Sequence, residues 1–219
     1  MSSFKEIRRI LASVDVDHCN DLIWFDKSEV GWYPVRDEED YDDEYFDKYK
    51  SYRDTEMGKK INDFRVGLVE KFHHGDLVDV GIGSGHFIDQ RGHGRTTGYD
   101  VSGFGMKWLD GNELWSNPYS DSPYAISCWD SLEHIRDCMR LINQVKRWVF
   151  ISIPIFDGVK SIRDSRHFKP HEHWWYFTNY SIMAMFGELG FVMRDRSEFE
   201  VECGREGVVT YAFERVDAV

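Results

Sequence analysis

Apolar and polar residues change period several times along this chain, and the changes mark its elements. Phe4, Ile7, Ile10, Leu11 and Val14 recur at helical spacing. An aromatic stretch from Trp24-Phe25 to Trp32-Tyr33-Pro34 follows. Ile61, Phe64, Val66, Leu68, Val69 and Phe72 then lie on or near one face of a second predicted helix. Beyond it, short apolar runs alternate with helical patterns. Strands are predicted near 76–80, 95–100, 113–116, 124–129, 147–153, 190–199 and 207–215, and helices near 85–91, 103–110, 131–145 and 179–188. Alternation closed by a hairpin implies an α/β fold, a mostly parallel sheet with one antiparallel strand. The expected division is an N-terminal extension over 1–72 and a main domain over 73–219.

Composition narrows the class. A length of 219 residues suits one large domain, or one domain with an extension, and 42% hydrophobic content supports a core. Without an apolar run of about 18 residues, no membrane span is expected. The opening Met-Ser-Ser-Phe-Lys-Glu lacks the apolar centre of a signal peptide. Cys19, Cys128, Cys138 and Cys203 show no C-x-x-C spacing and suggest reduced thiols in a cytoplasm. The net charge of −12 argues against a broad nucleic-acid surface. Arg91, Arg95, Lys160, Arg163, Arg166 and Lys169 are candidates for a local basic groove, or for an ordinary solvated surface. Eight of the eleven residues from Asp37 to Asp47 are acidic, yet Tyr41, Tyr45, Phe46, Tyr49 and Tyr52 are interleaved in and after the run. Such a segment either packs simply or docks as a lid over a ligand mouth.

Candidate chemistry begins at Leu77-Val-Asp-Val-Gly-Ile-Gly-Ser-Gly-His-Phe-Ile88, an apolar strand ending in a glycine-rich turn. Glycine permits a sharp bend and a close backbone approach to a ligand, and the following helix offers free N–H groups. A dinucleotide fingerprint, G-x-G-x-x-G, would place His86 where its last glycine belongs. Asp79 would also set like charge near a pyrophosphate, whereas an acid suits a cofactor carrying an amine and a sulfonium. The pattern Asp79-x-Gly81-x-Gly83-Ser84-Gly85 resembles motif I of the class I S-adenosylmethionine (SAM) methyltransferases, of the type 11/12 group. Gly94-Arg-Thr-Thr-Gly-Tyr-Asp100 then resembles that family's second strand, with Asp100 accepting the ribose hydroxyls and Val101 beside it. Pro123 to Ile135, Trp148 to Pro154 and the final two strands resemble its remaining strands, so that the likeness covers about 75–216. It implies a Rossmann-like seven-stranded sheet of order 3-2-1-4-5-7-6 and SAM as cofactor. The short acidic and aromatic lead resembles that of small methyltransferases, some encoded by phages.

Two segments are expected beside the cofactor's methyl group. In Asp130-Ser-Leu-Glu133-His134 the three polar residues share a face at helical spacing, opposite Leu132, Ile135, Met139 and Ile142. They resemble the Glu-x-x-Glu-His cluster that holds a divalent metal in ubiquinone-pathway O-methyltransferases and small-RNA 2′-O-methyltransferases. Mg²⁺ or Mn²⁺ suits such donors, as does Zn²⁺. Asp130 as N-cap with Glu133 three residues on is equally a capping box. The second segment, His167-Phe-Lys-Pro-His171-Glu-His173-Trp-Trp-Tyr-Phe-Thr, resembles the family's loop after strand five. His173 is its expected general base, with His134, or a fourth metal ligand. Trp129 either covers the cofactor or belongs to the core.

The expected function is methyl transfer from SAM to an oxygen or nitrogen, with a small molecule favoured over nucleic acid as acceptor and no membrane partner. Metal-assisted RNA 2′-O-methylation and a SAM-binding subunit without catalysis are the alternatives. Methylation of a base in duplex DNA is disfavoured, because both the Pro-Cys pair and an Asp-Pro-Pro-Tyr-type tetrapeptide are missing.

Overall fold

The computed structural model of the chain describes residues 3–15, 19, 21–35 and 51–216. The acidic run of 37–47, with its proposed lid, lies outside the described residues.

The first elements are helix α1 (Phe4–Ala12), strands β1 (Ile23–Phe25) and β2 (Val30–Trp32), and helix α2 (Glu56–Phe72). Both helices begin at hydroxyl caps: Ser3 accepts from the Glu6 amide and Thr55 from the Gly58 amide. Strand β3 (Leu77–Val80), helix α3 (His86–Arg91), β4 (Thr96–Tyr99), α4 (Gly103–Gly111) and β5 (Ala125–Trp129) follow. Then come α5 (Cys138–Gln144), β6 (Trp148–Pro154), α6 (Val159–Asp164), β7 (Trp175–Phe177), α7 (Asn179–Glu188), β8 (Phe191–Ser197), α8 (Phe199–Glu202) and β9 (Val208–Arg215).

Six strands form the main sheet in the order β4-β3-β5-β6-β9-β8. The first three pairings are parallel, and β9 runs antiparallel to both β6 and β8. Strands β5 and β6 are buried along their whole length, as strands covered on both faces should be. Their alternation divides the core. Ile126, Cys128, Val149, Ile151 and Ile153 join the cluster that includes α1, α5 and α7, whereas Ala125, Trp129, Trp148 and Phe150 join that of α2 and α3.

Three expectations are corrected here. The seventh strand, at 113–116, is reduced to a single parallel bridge between Gly98 and Trp115. The helix expected over 131–145 is broken. A 3₁₀ turn spans Leu132–His134, Ile135 is extended, and α5 starts afresh where the Asp137 side chain accepts from the Arg140 amide. The carbonyls of Ile135 and Arg136 instead accept from the Trp175 indole, both at 3.1 Å. Arg91, a candidate for a basic groove, is a buried strut: it donates to Glu70, Thr96 and the carbonyls of His73, Gly75 and Arg95.

A second, unexpected sheet joins the extension to the main domain. β1 pairs with β2, and β2 with β7, all antiparallel. Trp32 stacks at 5.4 Å on Trp174, so that the N-terminal strands wall the segment that carries His173. Among the described residues no helix is long and apolar enough to cross a membrane.

Candidate active site

The glycine turn lies between β3 and α3. Gly81, Gly83 and Gly85 all have positive φ, at 77°, 53° and 74°, a region that L side chains enter at a cost. Two of them also lack room for a side chain. A Cβ on Gly81 would come within 2.6 Å of the Ser131 Cβ, and one on Gly85 within 2.7 Å of the Trp108 ring. Ser131 is tethered in turn, donating its hydroxyl to the Val80 carbonyl at 2.5 Å. The turn is thus seated between the end of β5 and helix α4, with Ser84 half-buried within it.

Two acids frame the turn. Asp100, at the end of β4, accepts from the Ile82 amide at 2.9 Å and from the Ser102 amide and hydroxyl at 2.8 and 2.7 Å. It ties the glycine turn to the second strand, and the neighbouring Val101 stands 70% exposed at the mouth. Asp79 is 1% exposed. Burial pushes its carboxyl up to about 7, against the opposing pull of the Ser127 hydroxyl, which donates at 2.6 Å, and of Arg65.

The second group forms where the chain leaves β5. The sequence pattern placed Asp130, Glu133 and His134 together, but only two of them converge. Asp130 has a φ of +56° and its carboxylate is held by Arg205 and Arg65. Burial alone would raise this carboxyl; the two guanidiniums hold it well below the usual range. No capping box forms, because the turn that follows is 3₁₀ and starts at Ser131 without a side-chain cap. Asp130 therefore leaves the proposed ligand set, its oxygens already taken.

His173 joins in its place. The potential ligand atoms of Glu133, His134 and His173 all lie within 4.8 Å of one another. The two imidazoles meet edge to face at 4.6 Å and 82°. Backbone bonds set this contact: Trp174 N donates to Glu133 O at 2.9 Å, and His173 N to Lys169 O at 2.8 Å. Glu133 and His173 are 2% and 3% exposed. The Glu133 Oε2 and His134 Nδ1 atoms are buried without a hydrogen-bond partner, a state that asks for a ligand. Burial, reinforced by the Asp130 charge, raises Glu133 to about 8. Burial also lowers His134 to about 4 and His173 to about 2. At neutral pH the trio is a protonated carboxyl and two uncharged imidazoles.

The other expected residues stand apart. His171 is exposed, and His167 is held by the Glu206 carbonyl at 2.7 Å. Trp129 packs edge to face on Phe87 under the Arg65 guanidinium, in the core. Residues with no local signal complete the site. Arg65, Glu200 and Arg205 reach Asp130 across 65 residues or more of sequence. Ser131 lay inside the Asp-Ser-Leu-Glu-His segment, where its position between two candidate ligands was the one available hint.

The glycine turn and its two acids form a cradle without side-chain bulk, closed by carboxylates, which fits an aminated nucleoside cofactor. Comparison with known proteins agrees. A family model described as a methyltransferase domain matches residues 49–195. A putative methyltransferase from Haloferax volcanii, solved with the activator Trm112, superposes with a TM-score of 0.61 at 12% identity, covering 84% of this chain and 99% of that one. Magnesium protoporphyrin IX methyltransferase from Synechocystis PCC 6803, solved with S-adenosylhomocysteine (SAH), gives 0.55 at 11% identity, covering 82% and 98%. A putative sarcosine dimethylglycine methyltransferase from Galdieria sulphuraria gives 0.52 at 14% identity, covering 73% and 87%. No curated protein sequence matches. The chain belongs to the methyltransferase domain family and has the class I, SAM-binding fold.

Proposed function

We propose that this protein transfers a methyl group from SAM to an oxygen or nitrogen of a small-molecule acceptor held against Glu133, His134 and His173. One observation carries the reading. Ser131 touches the glycine turn while Glu133 and His134, two and three residues on, face His173. Donor cradle and polar trio are thus joined by a single short turn.

SAM, when bound, supplies the methyl group on its sulfonium. Asp79, Gly81, Gly83, Ser84 and Gly85 line its seat, with Asp100 and Val101 at the ribose end. The acceptor must lose a proton as it is methylated. Buried, uncharged imidazoles are able to take it, and His134 Nδ1 and His173 are the groups we assign to that task. Exclusion of water by the aromatic wall of β2 and β7 keeps them neutral.

The orphaned Glu133 Oε2 and His134 Nδ1 also favour a second reading, in which the trio holds a divalent metal. Two imidazoles and one carboxylate suit Mn²⁺ or Zn²⁺ better than Mg²⁺. A cation there would lower the pKa of an acceptor hydroxyl and take the place of the Glu133 proton. The net charge of −12 disfavours an RNA acceptor in either version.

Calorimetry with SAH and transfer of a labelled methyl group into fractionated cell extract test both readings. Label in small molecules, lost in the His134→Gln and His173→Gln variants, supports the first reading. Activity that EDTA abolishes and Mn²⁺ restores supports the second. SAH binding with no label in any fraction would leave a SAM-binding subunit without catalysis.

A further inference from the structure

Asp130 occupies a backbone conformation that few non-glycine residues adopt, directly after β5 and directly before Ser131. What keeps it there is a closed set of charges. Arg205 grips the carboxylate with two nitrogens, at 2.7 and 2.8 Å, and Arg65 adds a third bond at 2.9 Å. Both guanidiniums also bind the fully buried Glu200, Arg65 through Nε at 2.8 Å and Nη2 at 2.9 Å. Glu200 further accepts from the Ser152 hydroxyl at 2.7 Å. Two cations and two anions cancel. The four come from α2, the turn after β5, α8 and the loop before β9, four segments distant in sequence.

Such a quartet is a weak choice for stability alone, since buried ion pairs are often matched by apolar packing of similar volume. Direction is what an apolar cluster would not supply. A bidentate guanidinium fixes a carboxylate in plane and in angle. Here the carboxylate belongs to the residue that turns the chain. Beyond it, Ser131 seats against Gly81, and Glu133 and His134 enter the 3₁₀ turn that faces His173.

We propose that Arg65, Asp130, Glu200 and Arg205 are positioning residues, whose buried square of ion pairs holds the turn at Asp130 and thereby aims Glu133 and His134 at His173. The functional meaning of this rests on the trio being the acceptor site. The geometry itself can be tested without an acceptor or a metal.

The test uses the full chain with labelled histidine. The His134 and His173 rings, 4.6 Å apart, give a nuclear Overhauser contact and shift one another's resonances. In Arg205→Gln and Asp130→Asn that contact is expected to be lost and both ring resonances to move, while SAH affinity remains. Arg205→Lys, which keeps the charge, should restore part of the contact. Asn tolerates left-handed backbone and keeps the shape of Asp, so the Asp130 variant decides the matter even where Arg205→Gln does not fold. If both variants only lower the melting temperature and leave the ring contact in place, the quartet is a stabilising element and the proposal fails. Lack of the contact in the unaltered protein overturns it as well. A chain that transfers no methyl group can still pass this test, and one that does can fail it.

Discussion

Replacing Gly81 by alanine isolates the physical reason for the glycine turn. Two costs are separable. The left-handed backbone, at a φ of +77°, costs an L-residue about 1–2 kcal/mol. The new Cβ would also lie 2.6 Å from the Ser131 Cβ, close enough that one of them must move. Ser131 is tethered by its hydroxyl to Val80, so the displacement resembles overpacking, at about 1–3 kcal/mol. The sum is about 2–5 kcal/mol, or roughly 5–20 °C in melting temperature for a domain of this size. Urea denaturation measures it, with Gly67→Ala as control. That glycine is in the interior of α2 with open space beyond it, and alanine there should gain up to about 1 kcal/mol. Adding Ser131→Gly to Gly81→Ala should recover the overlap but not the backbone strain, a coupling of about 1–3 kcal/mol between the two sites. Equal stability of the Gly81 and Gly67 variants, or strict additivity of Gly81→Ala and Ser131→Gly, would refute the close-approach explanation.

Two further outcomes follow from the site. Glu133 keeps its proton when folded up to about 8, while the unfolded chain releases it near its ordinary 4.5. Stability is therefore lost as pH rises through that window. Glu133→Gln should abolish the loss, and thermal melts running parallel to wild type across the window would contradict the assigned burial. The imidazoles act on the other side. Below 6.5 the unfolded chain takes up protons that folded His134 accepts only near 4, so stability also falls with acid, and His134→Gln should flatten that limb. Trp32, 1% exposed in β2, should cost about 3–5 kcal/mol when cut to alanine. Urea titration measures the loss. SAH affinity should hold, because the residue walls the acceptor side; a large fall in affinity would show that the two sides are not separable.

Patterning served well wherever structure is local. The glycine turn, the acid at Asp100 and the buried runs of β5 and β6 lie where period and turn chemistry placed them. The errors share one cause, a partner far along the chain. Leu132 to Gln144 carries a continuous helical pattern, yet the Trp175 indole claims the carbonyls of Ile135 and Arg136 and the helix breaks there. Asp130 reads as a cap or a ligand, and nothing near it in sequence reveals Arg65 or Arg205. The strands β1 and β2 read only as aromatic positions because their third partner, β7, begins at Trp175. The loop histidines looked equivalent, and only the backbone bond from Trp174 to Glu133 distinguishes His173 from His167 and His171.

The pairing of β2 with β7 also imposes an order on biosynthesis. Val30 meets Phe177, 147 residues later, which corresponds to roughly 7–30 s of translation at about 5–20 residues per second. A two-stranded ribbon is at best marginally stable alone in water, so the early hairpin has no lasting shape while it waits. The glycine turn needs only the chain from Leu77 to Ser131 for its closest contacts. A nascent molecule thus completes the donor side first and the acceptor side last. A ribosome-stalled chain ending before Trp175 should hold its donor cradle while Trp24, Trp32 and Tyr33 stand open to quenchers and proteases.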